Sequence, residues 1–457
     1  MVKTSSKPTT GKELLLQVLR HEPTTAVPWV PYTGVHVGLL KDYTATEVLT
    51  DADKLFECLI AANEIYDPDG QPIVFDLQLE AEILGCELIW ADKNPPSVAT
   101  HPLSDRNEIP NIILEPTDGR LPVVLDVIGR MKKAVGDHTA LFGLACGPLT
   151  LASHLRGTEL FMDMIRHPES LHDLIDYCTR TAIRMSEFFV DAGVDVVAIV
   201  DPLISQISQK HFEQFFSKSF TEIFDYVGSQ DLFSSFFVCG DATRNIEVMC
   251  KTNPDMIAVD ENINMVESKK ITDQYNIALA GNIPLTTKML LGNQQDNMKF
   301  VVDLLDEIDH HNFILAPGCD MPYDTPIENV VAVVQAVRDP ENTRKILANY
   351  EAPEIDTDSV IVPDYANLEK PLIEVFTLDS DTCAACTYML GAAQRVTDEM
   401  AGKVDMIEYK FTKPENVARI VKMGVSKLPS ILINGELKYS SIIPSNEEFT
   451  EDLKKYM

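Results

Sequence analysis

The sequence predicts an α/β protein with two domains, a (β/α)8 TIM barrel followed by a small α/β domain that contains a Cys-x-x-Cys motif. Its 457 residues exceed what one compact core usually holds. Before residue 349, short apolar strands alternate with amphipathic helical stretches, which is typical of a parallel sheet wrapped by helices. Residues 349–369 are rich in Asp, Glu and Pro, and they divide the chain. We therefore predict a barrel at 1–348, a linker at 349–369 with a short strand at Ser359–Val362, and a second domain at 370–457.

Composition excludes several classes of partner. The net charge of -32 would repel phosphate backbones and anionic lipid surfaces, so neither nucleic acid nor a membrane is expected as a partner. No apolar run approaches the roughly twenty residues of a membrane span, and residues 1–10 are polar, so we expect a cytoplasmic protein. Nine widely spread cysteines indicate catalytic or metal-binding thiols together with buried free ones, not a disulfide framework.

Eight candidate strands precede the linker, which is the number in a (β/α)8 barrel. In that fold the active site lies at the carboxyl ends of the strands, so the residues that follow each strand are the candidates for function. The predicted strands are Val27–Tyr32, Pro72–Asp76, Thr139–Ala145, Val194–Asp201, Ser235–Cys239, Met256–Asp260, Ile277–Ala280 and Phe313–Ala316.

Polar residues stand at most of these strand ends, and we expect them to converge at one mouth. Taken singly, each has a structural explanation, since an Asp after a strand often caps a helix and an Asn shapes a turn. Two cysteines at equivalent positions are harder to explain in this way, because thiolates facing a polar pocket are costly without a function. The residues are His36, Asp76, Asp201, Cys239, Asp241, Asp260, Glu261, Asn282, Cys319 and Asp320.

Four stretches of the predicted barrel form a recognisable set. They are Phe75-Asp76-Leu77 with the segment 80–86, Gly147-Pro148-Leu149-Thr150, Cys239-Gly240-Asp241, and Pro317-Gly318-Cys319. Together these stretches resemble the uroporphyrinogen decarboxylase superfamily, and particularly its corrinoid and thiol methyltransferase branch. The similarity runs from about Thr10 to Asp339.

The resemblance implies a zinc ion with Cys239 and Cys319 as ligands, binding a thiol or another methyl acceptor. The family places a third ligand, a histidine, where this chain has Phe237. Because a catalytic zinc usually has three protein ligands, a replacement is expected from the same mouth. The candidates are His36, Asp241, Glu261 and Asp320. Alternatively, the two cysteines form a reducible pair served by the second domain.

The function that the resemblance implies is methyl transfer between a small methylated substrate or thiol and a corrinoid carried by a separate protein. The direction of transfer stays open, and a homodimer is possible within this family. Asp76, Asp241 or Glu261 would position the substrate or move a proton. His36 is a candidate ligand, proton donor or wall residue. Cofactor contacts are expected from Met321, Tyr323 and Asn282.

Two alternatives remain. Asp76 also matches the catalytic aspartate of the decarboxylase itself, but residues 29–36 lack the arginines that a polycarboxylate substrate requires. A redox-responsive protein that binds a corrinoid or tetrapyrrole without turnover is the other alternative, although convergent thiolates and carboxylates favour an enzyme.

The second domain contains a redox motif, Cys383-x-x-Cys386, between a predicted strand at Leu372–Leu378 and a helix that begins at Thr387. A structural zinc site is disfavoured because no Cys or His follows Cys386. Further along, Leu428-Pro429 leads into an apolar strand, and this arrangement resembles the thioredoxin and glutaredoxin family. There the matching proline is cis and lies against the active disulfide, so we predict a cis bond before Pro429.

The remaining predicted elements of this domain are a strand at Asp405–Phe411, a helix at Pro414–Met423, a strand at Glu436–Ser441 and a helix at Asn446–Tyr456. The expected catalytic residues of the domain are Cys383 and Cys386. Three roles are open: reduction of the barrel thiols, reactivation of an oxidised corrinoid partner, or use of Cys383 as a methyl or sulfur acceptor.

Overall fold

The computed structural model describes residues 10–104, 109–351, 356–380, 384–425 and 427–457. Its first part is a curled parallel sheet of seven strands, in the order β1-β4-β5-β6-β7-β8-β9, with β2 and β3 as a separate antiparallel pair. The strands are β1 (Gly70–Pro72), β2 (Leu88–Ile89), β3 (Ser97–Val98), β4 (Ala140–Cys146), β5 (Val196–Val200), β6 (Phe233–Val238), β7 (Met256–Val259), β8 (Ala278–Ile283) and β9 (Phe313–Pro317).

The segment around Trp29 lies between the two edge strands of this sheet. Val30 N–H donates to Leu315 O at 3.0 Å, and Asp69 N–H donates to Trp29 O at 2.9 Å. The predicted strand Val27–Tyr32 is therefore reduced to the single bridge between Trp29 and Leu315. Pro28 and Pro31 explain this difference, because proline has no N–H to continue a ladder. The predicted TIM-type fold is confirmed.

Helices surround the sheet in the alternation that the sequence predicted. The longer ones present an apolar stripe inward and a polar face outward. They are α1 (Gly11–Leu19), α2 (Ala45–Thr50), α3 (Ala52–Tyr66), α4 (Leu79–Ile83), α5 (Leu121–Ala134), α6 (Pro148–Arg156), α7 (Glu159–Arg166), α8 (Pro168–Ala192), α9 (Gln209–Phe215), α10 (Ser217–Ser229), α11 (Ile246–Cys250), α12 (Met265–Gln274), α13 (Gln294–Glu307), α14 (Ile327–Arg338) and α15 (Pro340–Ile346).

Alternate residues of the strands fill the interior of the barrel. In β5, for example, Val196, Ala198 and Val200 belong to the inner core, whereas Val197 and Ile199 pack against the helices. Both faces of the sheet are thus apolar, which explains why the strands read as continuous hydrophobic runs in the sequence. Because the interior is packed, polar chemistry is confined to the rim.

The second domain has a four-stranded sheet in the order β11-β10-β12-β13, in which only β10 and β11 are parallel. This is the predicted thioredoxin-like fold, with element ends shifted by up to three residues. The peptide bond between Leu428 and Pro429 is cis, as predicted. The elements are β10 (Leu372–Thr377), α16 (Ala384–Glu399), β11 (Asp405–Lys410), α17 (Pro414–Lys422), β12 (Ser430–Ile433), β13 (Glu436–Ser440) and α18 (Asn446–Lys454).

The strand predicted at Ser359–Val362 is wrong, because these residues form a turn and an irregular segment. Asp356 Oδ1 accepts hydrogen bonds from the N–H groups of Asp358 and Ser359, and this side-chain interaction replaces a ladder. Nowhere in the described ranges does a helix have the length and apolarity required to cross a bilayer.

Candidate active site

A cavity of about 420 Å³ lies at the rim of the barrel, beneath the second domain. Its floor and walls come from the loops that follow the barrel strands, and its cover comes from the thioredoxin-like domain. From the barrel it is lined by Thr150, His154, Cys239, Asp260, Glu261, Cys319, Asp320, Met321 and Tyr323, among others. From the second domain it is lined by Leu378, Asp379, Cys386, Phe411, Thr412, Ile420, Val425, Leu428 and Pro429.

Cys239 and Cys319 meet at the cavity wall and form a disulfide, with an S–S distance of 2.25 Å and a Cα–Cα distance of 6.0 Å. They follow β6 and β9, whose carboxyl ends share one rim of the barrel. Gly240 has φ of +82°, a conformation that favours glycine, and it allows the chain to turn directly after Cys239. The structure thus brings the two predicted cysteines together as an oxidised pair.

Three carboxyl groups, those of Asp260, Glu261 and Asp320, line the same cavity as this disulfide. Glu261 Oε2 accepts a hydrogen bond from Leu285 N–H at 2.5 Å, and burial together with the neighbouring Asp260 raises the pKa of Glu261 well above its ordinary value. Burial also raises the pKa of Asp260 and raises that of Asp320 to about 7. Asp320 Oδ1 lies 3.5 Å from Cys319 Sγ. A raised pKa favours the protonated form of a carboxyl group and suits it to exchange a proton with a ligand.

Three of the predicted catalytic residues, Asp76, His36 and Asp241, do not line the cavity, and each is engaged in other contacts. Asp76 is buried, and its Oδ2 accepts from Arg120 Nη1 at 2.5 Å. His36 bonds to Tyr323 O through Nδ1 at 2.9 Å and to Tyr66 Oη through Nε2 at 2.7 Å. Burial lowers the pKa of His36 to about 4, so its imidazole is neutral and serves as an internal hydrogen-bonding group.

Asn282 also lies outside the cavity wall. Its Nδ2 donates to Asp260 O at 2.9 Å and to Ile263 O at 2.7 Å, and the Gly281–Asn282 peptide bond is cis. The side chain therefore holds the loop that presents Asp260 and Glu261, and it makes no contact with the cavity.

Met321 and Tyr323, which were predicted as cofactor contacts, line the cavity. Met321 is fully buried, and Tyr323 Oη donates to Tyr43 O at 2.8 Å. Asp241 forms an ion pair with Lys427 of the second domain and accepts a hydrogen bond from Thr243 Oγ1. Burial disfavours the charge of Asp241, but these bonds together lower its pKa.

Cys386 lies in the first turn of α16, fully buried, and its Sγ accepts from Leu378 N–H at 3.4 Å. It is itself disulfide-bonded. Cys383 lies outside the described residues. The contributions of the second domain to the cavity were not anticipated, because they depend on how the two domains dock, and no local pattern in the sequence encodes that arrangement.

Comparison with known proteins identifies both domains. Residues 10–340 match the family model for uroporphyrinogen decarboxylase. The chain belongs to the uroporphyrinogen decarboxylase family. Residues 372–454 match the model of a thioredoxin domain.

Relatives of this family member include methyltransferases. The methylcobamide:CoM methyltransferase MtaA of Methanosarcina barkeri is 31% identical over 343 residues, covering 72% of this chain and 97% of that protein. MtbA of Methanosarcina acetivorans, a methylcobamide:CoM methyltransferase, is 25% identical over 337 residues, covering 72% and 98%. A solved methyltransferase from Methanosarcina mazei superposes with a TM-score of 0.66 at 26% identity, covering 72% and 98%.

This family member departs from the expected zinc ligands in two ways. A sulfur in a disulfide carries no thiolate charge, so Cys239 and Cys319 cannot bind zinc in the form seen here. Phe237, at the position of the family histidine, is fully buried, with ring centroids 4.6 Å from Tyr32 and 5.5 Å from Phe75. Across the described residues no three His, Cys, Asp or Glu side chains cluster as a metal site. The oxidised site therefore does not fit zinc.

Proposed function

We propose that the barrel transfers a methyl group between a small methylated substrate or thiol and a corrinoid held on a separate protein. The observation that supports this most is one cavity lined by two sulfurs and three carboxyl groups with raised pKa values. The relatives named above as methylcobamide:CoM methyltransferases favour the same chemistry. In this reaction the corrinoid supplies the cobalt that carries the methyl group.

The size of the cavity favours a small substrate. Its volume of about 420 Å³ lies within the range of sites for small molecules. Apolar and polar groups share the wall, which includes Met321 and Leu285 as well as the carboxyl groups. A small methylated compound or thiol would place its carbon atoms against the former and its heteroatom near the latter.

Glu261 is our candidate for moving the proton that accompanies methyl transfer. Its raised pKa keeps the carboxyl protonated near neutral pH, where it can donate to a heteroatom that loses its methyl group. In the opposite direction the carboxylate takes the proton from a thiol that gains the methyl group. Leu285 N–H holds Oε2 in place in both directions.

Two further parts of the proposal concern the thiols. Reduction of Cys239 and Cys319 would release two soft ligands beside Asp320, and zinc is the metal that such a set favours. We derive no step through a metal, because the oxidised site does not fit one. We place the reaction in the cytoplasm, where thiols are kept reduced.

Access to the cavity requires movement of the thioredoxin domain. Phe411, Ile420, Val425 and Leu428 of that domain line the cavity and cover its mouth. A corrinoid protein approaching the barrel rim would need the same space. The proposal therefore includes an open arrangement of the two domains during methyl transfer.

The test uses the reduced full-length protein, anaerobic methylcobalamin as the methyl donor and a panel of small thiols. The absorbance of methylcobalamin and the mass of each thiol report transfer. Glu261→Gln should lower the rate about 100-fold, the usual contribution of a general acid or base. Glu222→Gln, on the exposed face of α10, is the matched control and should leave the rate unchanged. Absence of transfer to every thiol by natively folded wild-type protein would overturn the proposal.

A further inference from the structure

Two redox groups border the same cavity although they belong to different domains. The disulfide of Cys239 and Cys319 lies on the barrel side, and the disulfide-bonded Cys386 lies on the thioredoxin side. The structure thus shows both groups in their oxidised form. The five other described cysteines are free and buried, and none of them lines the cavity.

Side-chain contacts hold the two domains together around this cavity. The ion pair of Lys427 with Asp241 joins a residue two positions before Pro429 to a residue two positions after Cys239. Each of these loops lines the cavity, so the pair brings the loop that contains one barrel sulfur against the rim of the thioredoxin domain.

A second contact between the domains lies just after Cys386 in the sequence. Tyr388 Oη, two residues after Cys386, donates to Ser153 Oγ of α6 at 3.0 Å, and the Tyr388 ring meets Phe161 of α7 edge-on with centroids 6.2 Å apart. Tyr388 Oη lies in a largely buried environment, and burial raises its pKa. Two separate polar contacts therefore position the start of α16 over the barrel mouth.

We propose that this chain catalyses an internal dithiol–disulfide exchange, in which the Cys383-x-x-Cys386 pair reduces the disulfide of Cys239 and Cys319. A thiolate of the C-terminal pair attacks one sulfur of the barrel disulfide, and the other barrel sulfur leaves as a thiolate and takes up a proton. The second thiol of the C-terminal pair then displaces the first barrel sulfur. Two electrons and two protons pass to the barrel, and the C-terminal pair becomes a disulfide.

Access explains why a fused domain is suited to this task. Cys239 and Cys319 are only partly exposed, and they open into a cavity that the thioredoxin domain covers. A separate reductant protein meets that cover, whereas Cys386 lines the cavity from within the thioredoxin domain. The tether also makes the exchange intramolecular and so raises the effective concentration of the attacking thiol. An external dithiol reductant is required only to restore the C-terminal pair.

The exchange does not depend on methyl transfer. Its consequence is a change in the reactivity of the two barrel sulfurs. Only the reduced barrel pair offers thiolates to a substrate or a metal, so the exchange converts an inert disulfide into two reactive sulfurs.

The first experiment traps the mixed disulfide in the full-length chain. Cys386→Ser removes the thiol that would resolve the intermediate, so a reduced and re-oxidised sample should contain Cys383 linked to Cys239 or Cys319. Peptide mass mapping without reductant identifies the link. The variant with both Cys383→Ser and Cys386→Ser should contain only the barrel disulfide. Absence of any interdomain link in natively folded Cys386→Ser would overturn the proposal.

The second experiment measures the rate and needs no trapped species. Oxidised protein is treated with dithiothreitol, and the appearance of Cys239 and Cys319 thiols is followed by alkylation and mass mapping. Loss of both C-terminal cysteines should slow this appearance on the order of tenfold or more. Cys250→Ser, which removes a buried thiol that does not line the cavity, is the matched control and should keep the wild-type rate. Equal rates in all three proteins would contradict an internal relay. Since neither readout involves a methyl group, failure here is distinguishable from failure of the methyl-transfer proposal.

Discussion

Lys427 of the thioredoxin domain forms an ion pair with Asp241 of the barrel, directly beside the loop that contains Cys239. The carboxylate is nearly covered, with 12% of its side chain exposed, whereas the lysine side chain is 44% exposed. Such a partly screened pair contributes modestly to stability, but it joins the two domains at the rim of the cavity.

Reversing the charge of Lys427 should favour opening of the cavity. In reduced Lys427→Glu protein, two carboxylates would face each other, and a loss of about 1 kcal/mol corresponds to roughly fivefold more open protein. A bulky maleimide should therefore modify Cys239 and Cys319 roughly fivefold faster, as read by peptide mapping. The exchanged pair, Lys427→Glu with Asp241→Lys, should return the rate toward that of the wild type. An unchanged rate in the single variant would show that this ion pair does not control access.

Metal content should depend on the redox state of the barrel cysteines. Protein reduced and purified anaerobically with zinc should retain about one ion per chain, and oxidised protein should retain none, because the disulfide removes both thiolate ligands. Cys239→Ser and Cys319→Ser should each abolish binding, whereas Cys250→Ser should not. Elemental analysis of all five samples checks this. Equal zinc in the oxidised and reduced wild type would exclude these cysteines as ligands.

Several residues of the barrel rim could be predicted from the sequence. The carboxyl ends of parallel strands lie at one edge of the sheet, whatever the arrangement of the surrounding helices. This reasoning correctly placed Cys239, Glu261 and Cys319 around one cavity. The same reasoning failed for Asp76. This residue also follows a barrel strand, but it forms a buried ion pair with Arg120 and does not line the cavity. The partner lies on the loop before α5, and nothing in the local pattern signals that contact.

The cover of the cavity could not be predicted at all. Each domain was recognisable from its own motifs, yet the docking of Lys427 and Tyr388 on the barrel depends on surface shape and on charges that are remote in sequence. Contacts between residues remote in sequence also explain why the prediction of a fully solvated linker was incomplete. Its acidic composition indicated a solvated segment, but Tyr365 Oη donates to the buried Glu374 at 2.7 Å, so that part of the linker packs against the thioredoxin domain.

The barrel should become less stable as the pH decreases, because the buried His36 is neutral in the folded protein. Burial lowers the pKa of this imidazole from 6.5 to about 4, despite the opposing effects of Tyr323 O and the Asp324 charge. Between these values the unfolded chain binds a proton that the folded chain does not, so stability is complete above pH 6.5 and decreases as the pH falls toward 4. The decrease amounts to roughly 3 kcal/mol at most.

Urea denaturation of the wild type and His36→Gln at several pH values tests this assignment. The variant should be less stable at neutral pH because it loses hydrogen bonds to Tyr66 and Tyr323, yet its stability should decline less between pH 6.5 and 4. The same substitution at the exposed His311 is the control. Parallel pH profiles for wild type and His36→Gln would show that His36 is not buried in its neutral form.

A buried ion pair should make the thioredoxin domain sensitive to one substitution. Arg419 Nη2 donates to Glu374 Oε1 at 2.5 Å, where Glu374 is fully buried and the Arg419 side chain is 9% exposed. The guanidinium also lies 4.5 Å from the centroid of the Tyr409 ring. Because its partner has no access to water, Arg419→Met should leave an uncompensated carboxylate and cost about 3–5 kcal/mol of unfolding free energy.

The compensating variant separates this electrostatic cost from lost packing. If the unpaired charge is the main cost, adding Glu374→Leu to Arg419→Met should recover most of the loss, since replacing a whole buried pair by apolar groups is often close to neutral. In the double variant Tyr365 would lose its hydrogen-bond acceptor, so the recovery of unfolding free energy should be incomplete. Urea denaturation followed by the far-ultraviolet circular dichroism of the full chain gives both values. A double variant no more stable than Arg419→Met would assign the loss to packing of the guanidinium against Tyr409 instead.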